Sequence, residues 1–122
     1  MAIRFDMQAE GDLLKVRAAG ADESLKEVNA YGAAIIQAAL RHSSRRILCD
    51  ETQLVYKLSV TDTYESARFI AESVPHVVKV AIVCNPQSYP DGQFWETVAV
   101  NRGLSVRFFK DLTQATAWLD AK

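Results

Sequence analysis

The stretch that most constrains this chain is the apolar run at 77–84, Val-Val-Lys-Val-Ala-Ile-Val-Cys, polar only at Lys79 and broken at once by Asn85-Pro86. Such a run reads as a strand, and a strand without an alternating polar face has both faces covered by other elements. Residues 46–49 (Arg-Ile-Leu-Cys) and 106–109 (Val-Arg-Phe-Phe) repeat this character more briefly, and each of the three runs leads into a stretch with helical spacing. By the crossover rule, strand-helix units in series build a mostly parallel sheet flanked by helices. The 77–84 strand is expected to lie centrally in it.

The chain ahead of these units reads differently. Ile3, Phe5 and Met7 alternate with Arg4, Asp6 and Gln8, Gly11-Asp12 makes a turn, and Leu14, Val16 and Ala18 alternate with Lys15 and Arg17 up to Gly20. This period of two predicts an antiparallel hairpin at a sheet edge. Ser24 with Glu27 forms a capping box for a long helix whose Val28, Gly32, Ile35, Ile36, Ala39 and Leu40 share one stripe. Arg41 and His42 close that helix, where its dipole favours cations and no metal is needed to explain the histidine. A second helix starts within Ser59-Val60-Thr61-Asp62, turns Tyr64, Ala67, Ile70, Ala71 and Val74 inward, and ends at Pro75. A third, capped by Asp91, spreads Phe94, Trp95, Val98, Ala99 and Val100 over more than one face, and a fourth, capped by Asp111, buries Ala115, Trp118 and Leu119. Residues 53–58, with Leu54, Val55 and Tyr56, read equally as an extension of the preceding strand or as a flap over a cleft.

At 122 residues the chain is expected to be a single domain, 1–122, with one real core. Its 49% hydrophobic and 24% charged residues argue against disorder. With 14 Lys and Arg against 15 Asp and Glu, no strong field of one sign draws it to nucleic acid or an anionic membrane. Arg41, Arg45 and Arg46 cluster without interleaved aromatics, as at a solvated helix end. Cys49 and Cys84 each finish an apolar strand and form no CxxC, so buried free thiols are expected and zinc is not. The amino end alternates and carries charge, unlike a signal peptide, and no apolar run approaches the roughly 20 residues of a membrane span. A reducing cytoplasm is the expected home.

In their order, these parts carry a resemblance: a hairpin, then βα units, an acidic residue closing 47–50 (Ile-Leu-Cys-Asp), and a Ser/Thr-bearing helix start about ten residues later. A closing strand-Asp-helix segment at 106–119 (Val-Arg-Phe-Phe-Lys-Asp-Leu-Thr-Gln-Ala-Thr-Ala-Trp-Leu) completes the pattern. Over nearly its whole length the chain resembles the STAS, or SpoIIAA-like anti-sigma-factor-antagonist, superfamily, and its C-terminal segment is similar to bacterial STAS-like proteins. The resemblance implies an α/β fold with a sheet of about five strands, mostly parallel after the N-terminal hairpin, flanked by about four helices. In such antagonists the segment after the third strand reads roughly Asp-Ser-Ser-Gly, its second serine being phosphorylated. Here that place falls on Ser59-Val60-Thr61-Asp62, so the resemblance matches Thr61 to the phosphoacceptor and Ser59 to the preceding aspartate. No glycine follows the acceptor, and Asp62 adds negative charge beside any phosphate.

Two functional readings follow. The first is a non-catalytic, STAS-like protein-interaction or regulatory module of a bacterial cytoplasm, whose phosphoacceptor or partner surface comprises Ser59, Thr61, Asp62 and Asp50. The alternative is a carrier of a small apolar or lipid-like ligand, because the fold resembled is similar in topology to lipid-transfer domains. Its cleft would be lined by Tyr56, Leu58, Phe94 and Trp95. Catalysis would have to come from Asp50, Glu51, Cys84 or Asn85 at the carboxyl ends of the strands. His76 precedes the strand that Cys84 ends, roughly 26 Å of extended chain away, and His42 also lies before its neighbouring strand. The chain is therefore expected to be no enzyme and to have no catalytic residues, cofactor or metal. Its partner would be a protein or a small apolar ligand, and the hairpin edge and the Phe94-Trp95 helix offer homodimer surfaces.

Overall fold

The structure, a computed structural model, describes residues 3–75 and 78–121. Its elements are β1 (Ile3–Glu10), β2 (Leu13–Asp22), α1 (Leu25–Arg41), β3 (Arg46–Tyr56), α2 (Val60–Ser73), β4 (Lys79–Cys84), a 3-10 turn (Pro86–Ser88), α3 (Tyr89–Asn101), β5 (Ser105–Phe109) and α4 (Leu112–Asp120). The five strands lie side by side in sequence order; β1 and β2 are antiparallel, and every later neighbour is parallel.

This order fixes where the helices go. Each crossover from β2 to β5 advances one strand in the same direction, so crossovers of one hand place their helices on one face. Accordingly, residues of α1, α2 and α3 pack with Val16, Ile47, Ile82 and Phe108 in the larger core. The chain after β5 covers the opposite face: Ala115 and Leu119 of α4 pack on Leu48, Ala81, Val83 and Phe109. The runs at 46–49 and 106–109 thus lie parallel on either side of β4, as the pattern predicts, with helices over both faces.

Two boundaries differ from the sequence reading. Strand β3 does not stop near Cys49 but continues through Tyr56, because β2 runs on to Asp22 and pairs with it to the end. Helix α3 begins at Tyr89, so Asp91 lies in its first turn rather than at its cap. The side chain of Asn85 accepts from the Gln87 amide at 2.8 Å and winds Pro86–Ser88 into the turn that nucleates the helix early. The predicted strand start at Val77 lies outside the described residues, as does His76. The other caps stand where expected: the side chains of Ser24, Ser59 and Asp111 accept from the amides of Glu27, Asp62 and Gln114.

At the amino ends of the parallel strands, Arg46 reaches Asp12 in the hairpin turn at 2.9 Å and Asp120 of α4 at 2.6 Å. The residue expected in a basic cluster is therefore tied up in the fold. The carboxyl ends of the strands, at the opposite rim, are differently built.

Candidate functional site

The site begins with an irregularity in β3. Arg17 pairs with Asp50 and Ala19 with Gln53, so three steps along β3 face two along β2. That is a β-bulge, one extra residue that reverses which side chains point inward. Asp50 secures it: its carboxylate accepts from the amide of Thr52 at 3.1 Å and from the Thr52 hydroxyl at 2.7 Å. Before the bulge Ile47 and Cys49 face the α1–α3 side, and after it Leu54 and Tyr56 do. In an unbroken strand Glu51 and Tyr56 would project to opposite faces; here they meet.

Glu51 is buried, and both of its carboxylate oxygens are held. Oε2 accepts from the Tyr31 hydroxyl of α1 at 2.8 Å, and Oε1 accepts from the Tyr56 hydroxyl at 2.5 Å. Burial raises the pKa of Glu51, while the two hydroxyl donors act against that rise. Burial and the neighbouring carboxylate push both tyrosines well above their usual range, so they remain donors. Asp22, the last residue of β2, is also buried, and burial raises its pKa to about 7 although the Lys57 amide donates to it at 2.5 Å.

Around this carboxylate the helices and sheet leave an apolar cavity of about 110 Å³. Tyr31, Ile35 and Val28 of α1 form one wall, Ser66 and Ile70 of α2 another, and Gly92 and Trp95 of α3 a third, with Cys49 and Ile82 of the sheet as floor. Rings pack edge to face at its side: Phe108 stands 5.8 Å from Trp95 and 6.4 Å from Tyr56, centroid to centroid. The Trp95 indole donates to the Ser66 hydroxyl at 3.2 Å. The cavity reaches solvent at the carboxyl ends of the strands, where half-buried Leu58 and Thr63 and exposed Asp91 join its lining. That is the side on which open α/β sheets bind ligands.

The sequence-predicted residues are therefore divided. Tyr56, Leu58 and Trp95 line the cavity, whereas Phe94 is 39% exposed and lies outside the lining. Ser59 is an exposed helix cap, Thr61 is exposed, Asp62 gives its amide to Ser59 Oγ at 3.1 Å, and Asp50 is engaged by Thr52. Ser59 and Asp62 thus meet at the α2 start while Asp50 is held by Thr52, and Leu58 and Thr63 carry the α2 start to the cavity mouth. Of the groups considered for catalysis, Cys84 is fully buried with its thiol pushed up to about 11, and burial raises Cys49 too. Asn85 serves as a cap, and His42 is exposed at the end of α1. Among the described residues no group of three or more His, Cys, Asp or Glu is placed to hold a metal. Nor is any helix among them long and apolar enough to cross a membrane.

The sequence reading missed Tyr31 and Ser66, and weighed Glu51 only as a catalytic group. A usable signal existed for Tyr31, which falls at helical spacing between Val28 and Ile35.

A scan against protein-family models and a search of curated proteins both find no significant match. The solved structures do offer likenesses. An anti-sigma factor antagonist from Mycobacterium paratuberculosis superposes with a TM-score of 0.70 at 10% identity, over 98% of this chain and 96% of its own. The fold is SpoIIAA-like. An uncharacterized protein of the DUF3478 family with a SpoIIAA-like fold, from Shewanella loihica PV-4, gives a TM-score of 0.53 at 20% identity, over 97% of this chain and 94% of its own. The resemblance read from the hairpin and βα units is thus shown at the level of the SpoIIAA-like fold.

Proposed function

We propose that this chain is a non-catalytic regulatory module of SpoIIAA-like fold that binds a small apolar molecule between its sheet and helices α1–α3. The observation that carries this reading is the cavity of about 110 Å³ with its apolar walls and a mouth at the carboxyl ends of the strands. An engineered apolar cavity of about 150 Å³ takes up benzene, so this one suits a short alkyl chain or a single ring. Its mouth adjoins the start of α2, where Val60 is 74% exposed, so an occupant would be felt at the surface expected to meet a partner. One neighbour in fold is an anti-sigma factor antagonist, which fits a regulatory interaction role. Two buried free thiols suit a reducing cytoplasm.

Trp95 lines the cavity and Trp118 belongs to the opposite core, so a Trp118→Phe variant isolates a reporter. Titration with hexanol is expected to give a saturable change in Trp95 emission. Native mass spectrometry of freshly purified protein is expected to show a bound small molecule. A linear, unsaturable response together with a clean unliganded mass would overturn the reading.

A further inference from the structure

The polar groups of the cavity are unbalanced. Glu51, Asp22 and Asp91 line it, and no Lys, Arg or His does among the described residues. The amino ends of α2 and α3 would favour an anion, but each already carries its own acid in the first turn, Asp62 and Asp91. Hydrogen bonding is equally lopsided. The Tyr31 and Tyr56 hydroxyls are spent on Glu51, and the Trp95 indole N–H is spent on Ser66. What remains is acceptor capacity: a carboxylate has about four lone-pair sites, of which these tyrosines fill two, and each phenolic oxygen can still accept. The Tyr56, Phe108 and Trp95 rings beside Glu51 are surfaces on which a cation is stabilised.

Resting on the apolar-ligand reading above, we propose that the occupant is a small organic ammonium ion, its charged head set against Glu51 and the tyrosine oxygens and its hydrocarbon part among Ile35, Ile70 and Ile82. The ammonium brings up to three donors and the positive charge that the site lacks, and it compensates a carboxylate already withdrawn from water. A carboxylate or phosphate head would meet like charge, with no cationic donor among the described lining residues to offset it. An alcohol would fill the same volume without answering the charge.

Three probes of matched length separate these cases: hexylammonium, hexanol and hexanoate, titrated by calorimetry at about pH 8, where the amine is charged and Asp22 is ionised. Hexylammonium is expected to bind at least about tenfold more tightly than hexanol, a difference of about 1.4 kcal/mol, with hexanoate weakest. Glu51→Gln is expected to bring hexylammonium down to the level of hexanol. Asp22→Asn, farther along the wall, is expected to reduce the preference by about two- to fivefold, and it serves if Glu51→Gln fails to fold. Hexanol equal to or tighter than hexylammonium, or a preference for hexanoate, overturns the ammonium inference and leaves the apolar pocket standing. Failure of all three to bind overturns the pocket itself.

Discussion

The two faces of this sheet are closed on different terms. Between the sheet and α1–α3 lies a core that contains a cavity and, at one end, a buried carboxylate held by two tyrosines. Between the sheet and α4 lies a small core whose buried members are all hydrocarbon side chains: Leu48, Ala81, Val83, Phe109, Ala115 and Leu119. The cations near it stay at its edge: the Lys79 ammonium lies 4.4 Å from the Trp118 ring centre and donates to that residue's carbonyl, and the Arg107 guanidinium lies 5.6 Å from the Phe109 ring centre. A short helix laid on three strands fits when small residues let it approach, and Ala81 and Ala115 are fully buried. Three helices spread over five strands leave space between them, and in this chain the space is where ionisable groups are kept. One face secures the fold, while the other gives up packing to hold chemistry.

The sharpest way to test the contrast is pH. Asp22 titrates near 7 when folded against an ordinary 3.8, so in that interval the folded state retains a proton that the unfolded chain has released. Stability then falls as pH rises from about 4 to about 7, by at most about 4 kcal/mol. Glu51, shifted the same way, adds to the slope, and Asp91 reinforces the shift of Asp22. Urea denaturation across this range should show the decline, and Asp22→Asn should flatten it and be more stable than the natural protein above pH 7. A flat profile would mean that the α1–α3 side holds no desolvated acid and differs from the α4 side in shape alone.

Truncation comes next in size. Leu119→Ala removes a buried side chain from the compact core under α4 and should cost about 3 kcal/mol. Ile70→Ala, at the wall of the existing cavity, should cost about half as much or less, since Ile70 is half-buried and packs on one side against open space. Equal losses in denaturant would break the comparison.

The smallest expected effects come from two glycines. A β-carbon on Gly92 would sit 2.5 Å from the Phe108 ring, which is wedged between Trp95 and Tyr56 and cannot yield. Gly92→Ala should therefore destabilise by about 1–2 kcal/mol despite its helix propensity. A β-carbon on Gly32 would meet the tip of Ile70 at 2.2 Å, but that tip has the cavity to turn into. Gly32→Ala should be neutral or gain up to about 1 kcal/mol in thermal denaturation, and it should weaken hexanol binding.

Much of the architecture was legible because it rests on periodicity. The alternation through Ile3, Phe5 and Met7, the apolar run ending at Cys84 and the caps Ser24, Ser59 and Asp111 are local signals, and the coordinates agree with each. The site was less legible because it depends on a departure from periodicity. Ile47 and Cys49 alternate correctly, but Leu54 and Tyr56 are out of phase with them, and nothing in the residues alone says that Asp50 and Thr52 will lock an extra residue into a continuing strand. Leu40 illustrates the converse. It sits on the apolar stripe of α1 yet is 61% exposed, because Tyr31, Ile35 and Ala38 take the inward positions as the helix crosses the sheet.

The extra residue in β3 has an implication for how such a pocket arises and is lost. Exchanging side chains at 51 or 56 alters the chemistry of the pocket by degrees, but excising a single backbone unit between Asp50 and Gln53 would swap the two sides of everything downstream in that strand. Tyr56 and Leu54 would turn toward solvent and Val55 would take their place, leaving Glu51 without one of its donors. Among proteins sharing this scaffold, the length of one short segment can thus divide those with a hollow interior from those that are solid throughout.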